Sequence, residues 1–135
     1  MNDVSEEIVS IKADVDVVVA RQRARGLLSG WRFSGSELTL IATAISEVAR
    51  NIVSYAGNGE VVLRIVRRGQ QRGLLVIARD RGPGIADIER AMEDGYSTSR
   101  GLGLGLPGSK RVMDEFELVS EVGKGTEVTM IKWER

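Results

Sequence analysis

Four short segments of this 135-residue chain carry carboxylate, amide or hydroxyl side chains, closely spaced glycines, or both. In chain order they are SEVARN with Glu47 and Asn51, DRGPG at residues 80–84, GLGLG at residues 101–105 and GKGT at residues 123–126. Each segment alone is common in globular domains. Their occurrence in one order, within one short chain, indicates a domain that handles nucleotides.

The first segment supplies two groups that suit phosphoryl transfer. Glu47 and Asn51 are one helical turn apart, so they lie on the same side of a predicted helix. A carboxylate can take a proton from an attacking hydroxyl, and an amide oxygen suits Mg²⁺ beside phosphates. Alone, the same spacing is more typical of a surface glutamate and a helix asparagine.

The second and fourth segments suit recognition of a base. Asp80 ends an apolar run, and glycines at 82 and 84 leave a pocket floor of bare backbone. The carboxylate can then accept a hydrogen bond from the adenine amino group. Thr126 enters the last predicted strand, where it could brace Asp80 or a water bridging to adenine. A simple turn, and a turn followed by a strand, are the alternatives for the two segments.

The third segment suits phosphate binding, because Gly101, Gly103 and Gly105 precede a predicted helix and their N–H groups are unobstructed. The stretch also contains a formal dinucleotide-binding fingerprint, GxGxxG. We reject that interpretation because residues 94–100 do not form a strand pattern and Pro107 lies inside the fingerprint.

A strand and two helices are predicted in the first 55 residues. Residues 4–12 predict a strand, and residues 14–29 a helix capped by Asp14 or Asp16. A second helix begins at Ser34 or Ser36 and runs to Tyr55. The predicted core-facing residues are Val15, Val18, Val19 and Leu27 in the first helix, and Ile41, Ile45, Val48, Ile52 and Tyr55 in the second.

The rest of the chain predicts a hairpin over residues 61–78, a lid over residues 85–100, a helix over about 104–114 and strands at 116–121 and 125–133. The fold class is therefore α+β, a single domain spanning residues 1–135. Its helices are expected on one face of a mixed, mainly antiparallel sheet.

Composition narrows the function. Lys plus Arg and Asp plus Glu both number 19, so no bulk charge favours nucleic acid. The chain has no cysteine and no histidine, which excludes thiolate chemistry, His-ligated metals and phosphohistidine.

No apolar run approaches the roughly 20 residues of a membrane span, and we expect a cytoplasmic protein without membrane insertion. An arginine cluster between residues 64 and 81 predicts either a solvated sheet edge or a phosphate or partner patch.

Taken together, the four segments resemble the N, G1, G2 and G3 boxes of the GHKL ATPase/kinase superfamily, which has the Bergerat fold, an α/β sandwich with an ATP lid. The segments DGYSTS and GLPGSKRVMDEF are similar to those of stressosome switch serine-protein kinases and related anti-sigma factor kinases. This resemblance covers nearly the whole chain and rests on more than the glycines.

The resemblance implies that Mg²⁺-ATP is bound and that its γ-phosphoryl group passes to serine or threonine of STAS-domain scaffold and antagonist proteins. The released kinase would then activate a downstream partner such as a PP2C-type phosphatase. The alternative is an ATP-binding anti-sigma factor or partner-sequestering module whose kinase activity is secondary.

The resemblance also implies a role for each motif residue. Glu47 would be the general base, Asn51 the Mg²⁺ ligand and Asp80 the adenine-binding residue. The remaining pocket residues would be Gly82, Gly84, Ile85, Arg100, Gly101, Leu102, Gly103, Leu104, Gly105 and Thr126. Arg100 and Leu104 are bulkier than expected around a phosphate loop. The arginine could contact phosphate or crowd the lid.

Overall fold

The computed structural model describes residues 6–85, 92 and 105–135. In chain order the elements are β1 (Glu6–Ile11), α1 (Asp14–Leu27), α2 (Gly35–Asn51), a π-helical turn (Ile52–Ala56), β2 (Gly59–Arg68), β3 (Gln71–Asp80), α3 (Gly105–Val112), β4 (Glu115–Glu121) and β5 (Gly125–Trp133). Apart from Ile85 and Met92, the predicted lid lies outside the described residues.

The described strands form one sheet of five, in the order β1-β2-β3-β5-β4. Every pairing between them is antiparallel, which confirms the predicted α+β class with a mainly antiparallel sheet. The predicted hairpin is β2 and β3, joined by a turn in which Gly69 has a φ of 63°. The register places Asp80, the last residue of β3, opposite Thr126 near the start of β5.

Helix α2 begins as its sequence predicts, and Ser34 rather than Ser36 is the N-cap. The Ser34 hydroxyl accepts the Glu37 N–H at 3.0 Å, and the Glu37 carboxylate accepts the Ser34 N–H at 3.0 Å. Such a capping box stabilises a helix by about 1 kcal/mol. The predicted stripe of Ile41, Ile45, Val48 and Ile52 is buried, so this helix face packs into the core.

The end of the second helix differs from the prediction. After Asn51 the chain makes a π-helical turn that ends at Gly57, whose φ is 86°. A π turn inserts extra backbone and shifts the residues after it out of the 3.6-residue period. Tyr55, predicted to face the core, is therefore 45% exposed.

The predicted core face of α1 is wrong in part. Val15 and Val18 are 65% and 38% exposed, whereas Val17, Ala20 and Ala24 are buried. Val19 and Leu27 pack partly buried against the core. A run of neighbouring valines does not indicate which side of a helix is buried. Ala20 and Ala24 lie one turn apart on the buried side, and their small side chains let α1 pack closely against its neighbours.

The start of α1 is also capped differently from the prediction. The N-cap is Ala13 rather than Asp14 or Asp16. The Asp16 carboxylate, inside the first turn, accepts the N–H groups of Lys12 and Ala13 at 2.8 and 3.1 Å. Asp16 therefore satisfies backbone donors that precede the helix, and its negative charge favours the helix N-terminus.

The core lies between the helices and one face of the sheet, where β2, β3 and β5 contribute side chains such as Leu63, Val76 and Met130. Residues such as Glu60 and Arg79 lie on the other face of the sheet. The Arg79 Nε donates to the Glu60 Oε2 at 2.7 Å, across β2 and β3. Arg64, Arg68 and Arg72 likewise form ion pairs with Glu6, Glu115 and Glu134. The predicted sheet edge is wrong, because β2 and β3 are interior strands of the sheet, and the arginines form ion pairs on its surface instead. Among the described residues no helix has the length and apolar character needed to cross a bilayer.

Glu134 ties the end of the chain to the loop between the first two helices. Its carboxylate accepts the Arg32 N–H at 2.6 Å and the Arg72 Nε at 2.7 Å, while the Arg72 guanidinium lies 4.2 Å over the Trp31 ring. The hydrogen bond from Arg72 and that from the Arg32 backbone lower the pKa of Glu134 below its ordinary value. The folded state therefore stabilises the ionised carboxylate.

We expect Glu134→Gln to make the free energy of unfolding less dependent on pH at acid pH. Because the pKa is depressed on folding, the stabilisation is present above the ordinary glutamate pKa of about 4.3 and is lost as the pH falls through the folded value. Urea denaturation between about pH 5 and pH 3 measures the effect, with the exposed Glu117→Gln as control. An unchanged pH dependence in Glu134→Gln would contradict the assignment.

Candidate nucleotide-binding site

Glu47 lies where the C-terminal part of α2 meets the start of α3. It is 5% exposed, and its carboxylate accepts a hydrogen bond from the Gly105 N–H. The Arg50 Nη1 lies 3.4 Å from the Glu47 Oε1. The predicted general base and the last glycine of the phosphate segment are thus brought together, at a helix N-terminus that favours negative charge.

Burial raises the pKa of Glu47 above its ordinary value, and the Gly105 N–H and the Arg50 charge oppose that rise only in part. A carboxylate whose pKa is raised toward neutrality holds a proton more strongly than an exposed one. A carboxylate with a raised pKa is a stronger base than an exposed one, which suits general-base work.

Asn51 is the last residue of α2, one turn beyond Glu47, and is half-buried. Its amide oxygen is a hard donor of the kind that Mg²⁺ accepts. The described residues contain no group of three acidic side chains that could hold a metal by themselves. A single protein oxygen beside substrate phosphates and water is the usual environment of Mg²⁺, so the donor set fits that ion.

Asp80 and Gly82 form the loop at the end of β3. The Gly82 N–H donates to the Asp80 Oδ1 at 2.8 Å, which orients the carboxylate. A Cβ atom at Gly82 would lie 2.8 Å from the Cα of Ala56 in the π-helical turn. The loop therefore packs against the end of the helix that carries Glu47 and Asn51, and only glycine fits there.

The turn between β4 and β5 packs against the same loop. The Gly123 N–H donates to the Pro83 carbonyl at 2.8 Å. Gly84, with a φ of 79°, passes so close to the Glu121 carbonyl that a Cβ would clash with backbone. The second and fourth predicted segments are thus in direct contact.

Ser120, in β4, is a site residue that sequence reasoning missed. Its hydroxyl accepts the Ile85 N–H at 2.7 Å and lies 2.8 Å from the Thr126 hydroxyl and 3.2 Å from the Gly125 carbonyl. A lone serine in a strand carries no local signal for such a position, because the partners come from two other parts of the chain.

A cavity of about 720 Å³ opens at this end of the sheet. Its lining includes Asp80, Ser120, Gly125 and Thr126, together with charged residues of the opposite sheet face such as Arg79 and Glu127. Glu47 and Asn51 do not line it.

The structure therefore brings the predicted site residues together in two groups, one around Asp80 and Thr126 and one around Glu47 and Gly105. Arg100, Gly101, Leu102, Gly103 and Leu104 lie outside the described residues.

The chain is similar to a known protein family and to several named proteins. The family model for the histidine kinase-like ATPase domain matches residues 11–132. The chain is 51% identical to serine/threonine-protein kinase RsbT of Bacillus subtilis strain 168 over 135 residues, which covers both proteins fully. It is 31% identical to an anti-sigma F factor of Clostridium kluyveri over 98% of this chain and 96% of that protein.

A solved structure is also similar in fold. It contains the RsbU and RsbW domains of a Mycobacterium tuberculosis protein, and it matches with a TM-score of 0.62 and 20% identity over 99% of this chain. The match covers 33% of that longer chain. At this identity the likeness concerns the fold alone.

Proposed function

This chain belongs to the histidine kinase-like ATPase domain family, and on that premise we propose that it is an ATP-dependent protein kinase that phosphorylates serine or threonine. The observation that carries the proposal is the buried Glu47 carboxylate, held by the Gly105 N–H at the start of the helix that follows the glycine segment. The full-length similarity to a relative named as a serine/threonine-protein kinase supports it.

The nucleotide would lie between the two groups of site residues. Asp80 would accept the adenine amino group, with Gly82, Gly84, Ile85 and Thr126 around the base. The phosphates would meet the backbone of residues 100–105, including Gly101, Gly103 and Gly105. The position of Gly105 beside Glu47 supports this placement of the phosphates.

In the transfer step, the hydroxyl oxygen of the acceptor forms a new bond to the γ-phosphorus, and the bond from that phosphorus to the ADP oxygen breaks. Glu47 would take the hydroxyl proton, a role that its buried position and raised pKa suit. Asn51 would hold Mg²⁺, which when bound neutralises charge on the phosphates. The chain's own contribution is mainly positioning.

The acceptors we propose are STAS-domain scaffold and antagonist proteins of a stressosome-like complex in the cytoplasm, and a PP2C-type phosphatase is the proposed downstream partner. The similarity to a relative named RsbT supports this choice. The anti-sigma F factor relative favours a second candidate function, in which nucleotide binding controls sequestration of a partner and phosphorylation is secondary.

Incubation with Mg²⁺, γ-labelled ATP and a STAS-domain protein from the same genome tests the proposal. We expect label on a serine or threonine of that protein. Nucleotide binding without transfer to any STAS partner would favour the sequestration module instead.

We expect Asn51→Ala to weaken binding of Mg²⁺-ATP by about 10- to 100-fold, because an oxygen ligand beside the phosphates is lost. Calorimetry with ATP in the presence of Mg²⁺ and in the presence of a chelator separates this effect from a general loss of affinity. The metal-free affinity should change little. A Mg²⁺-ATP affinity equal to that of wild type would remove Asn51 from the metal site.

A further inference from the structure

Arg50 is a cation beside Glu47 to which the proposed reaction gives no role. It lies in the last turn of α2, three residues after Glu47 and directly before Asn51. Residues three apart on a helix are neighbours on its surface, and the Arg50 Nη1 lies 3.4 Å from the Glu47 Oε1. Glu47 is buried, whereas Arg50 is partly exposed. A positive charge near the surface is thus paired with a buried carboxylate.

The buried Glu47 carboxylate needs such a partner in order to stay ionised. A carboxylate withdrawn from water binds a proton unless it is paired and hydrogen-bonded. Burial raises the pKa of Glu47, and the Gly105 N–H and the Arg50 charge both lower it. The N–H group carries a partial charge, whereas the guanidinium carries a full one. Arg50 therefore opposes the effect of burial on Glu47.

The elements packed against α2 carry ionisable groups of their own. Among them are Arg21 in α1, Tyr55 in the π-helical turn, Asp80 in β3, and Lys110 and Arg111 in α3. Arg21 donates to the Ser46 Oγ at 3.2 Å, and the two α3 cations lie in the last turn, away from Gly105 at the start. Of the described charges, only that of Arg50 lowers the pKa of Glu47.

We propose that Arg50 is a positioning residue of the transfer reaction, whose charge keeps the buried Glu47 carboxylate ionised and able to take the hydroxyl proton. This inference rests on the proposed function. A carboxylate can accept about four hydrogen bonds, and the Gly105 N–H and Arg50 account for two of them. Lone pairs therefore remain for the hydroxyl of the phosphoryl acceptor. Arg50 acts through Glu47 and not through a contact of its own with the nucleotide.

Two other roles of Arg50 would have different consequences. A cation that only ends the helix, or forms a surface ion pair, would affect stability and not the rate. A direct ligand of the phosphates would strengthen nucleotide binding and raise the rate at every pH. A residue that acts through Glu47 should matter mainly at low pH, because at high pH Glu47 is ionised with or without its partner.

The first test is label transfer to the proposed STAS-domain acceptor over a range of pH, with saturating Mg²⁺-ATP. Arg50→Gln should lower the rate by about 10-fold on the rising limb of the pH–rate profile, the lower end of what a hydrogen bond to a charged group contributes. The loss should disappear at higher pH, and the affinity for ADP in calorimetry should stay close to that of wild type. Arg50→Lys, which keeps a positive charge, should retain most of the rate.

A double variant shows which group Arg50 acts through. Adding Arg50→Gln to Glu47→Gln should lower the residual rate no further, because the carboxylate that Arg50 keeps ionised is already absent. Arg25→Gln is the matched control. Arg25 is exposed in the last turn of α1, so its substitution removes the same charge at a helix C-terminus and should leave the rate unchanged. Arg50→Met keeps the apolar stem and gives the same readout if Arg50→Gln unfolds.

A measurement on the chain alone separates this inference from the proposed function. NMR titration of the side-chain carboxyl carbon should show a higher pKa of Glu47 in Arg50→Gln than in wild type, and a value close to wild type in Arg50→Lys. An unchanged pKa, an equal loss of rate at every pH, or additive losses in the double variant would overturn the role of Arg50 and leave the kinase activity in place. Absence of transfer by the wild-type protein would overturn the proposed function, and this inference with it.

Discussion

Glu47→Gln should reduce phosphorylation of the proposed STAS-domain acceptor by about 100- to 10,000-fold, the usual contribution of a general base. The substitution keeps the shape of the side chain and an oxygen that can accept the Gly105 N–H. It removes the negative charge beside Arg50 and with it the capacity to take a proton. Nucleotide affinity should therefore change much less than the rate of transfer, and the two are measured by calorimetry and by label transfer.

The pH dependence of the wild-type rate should report the same group. Burial raises the pKa of Glu47, so the pH–rate profile should have a rising limb whose midpoint lies above the ordinary pKa of a glutamate. That limb should be absent from the residual rate of Glu47→Gln. The exposed Glu117→Gln, on the opposite sheet face, is the matched control and should keep both the rate and the limb.

Stability should move in the opposite direction from activity. Since the folded state holds the Glu47 proton more tightly than the unfolded chain, ionisation of Glu47 lowers the free energy of unfolding as the pH rises through its pKa. A neutral glutamine avoids this cost, so Glu47→Gln should melt above the wild-type temperature at pH 7. A variant that loses both transfer and stability would instead indicate a structural role for Glu47.

Much of the fold could be predicted from the sequence because its signals are local. The Ser34 cap, the Ile41 to Ile52 stripe and the hairpin between β2 and β3 are each specified by residues within a few positions of one another. The core face of α1 is different. It depends on how Ala20 and Ala24 pack against other elements, and the sequence alone favoured the larger valines.

The candidate site was predictable as a set of segments but not as an arrangement. Asp80 and Thr126 are far apart in sequence and meet only because β3 and β5 are neighbours in the sheet. The hydrogen bond between Gly105 and Glu47 likewise depends on the packing of α3 against α2. Ser120 had no signal at all, since its partners, Ile85 and Thr126, are fixed by the tertiary structure.

We expect the second large effect from Gly125→Ala, because Gly125, at the end of the β4–β5 turn, lies against Asp80. Gly125 has a φ of 123°, and a Cβ there would clash with the Asp80 carbonyl and lie 2.8 Å from the Arg81 Cα. These are backbone atoms in a sheet and cannot move aside cheaply. Strain and overpacking together should lower the free energy of unfolding by about 2–5 kcal/mol.

The same substitution should also weaken ADP binding, because the backbone that it displaces carries the Asp80 carboxylate. Gly123→Ala is the matched control in the same turn. Gly123 also has a positive φ, 83°, but a Cβ there would meet open space, so its cost should be about 1–2 kcal/mol with little change in ADP affinity. Urea denaturation and calorimetry measure both quantities. Equal effects of the two substitutions would mean that the close approach of Gly125 to Asp80 does not shape the site.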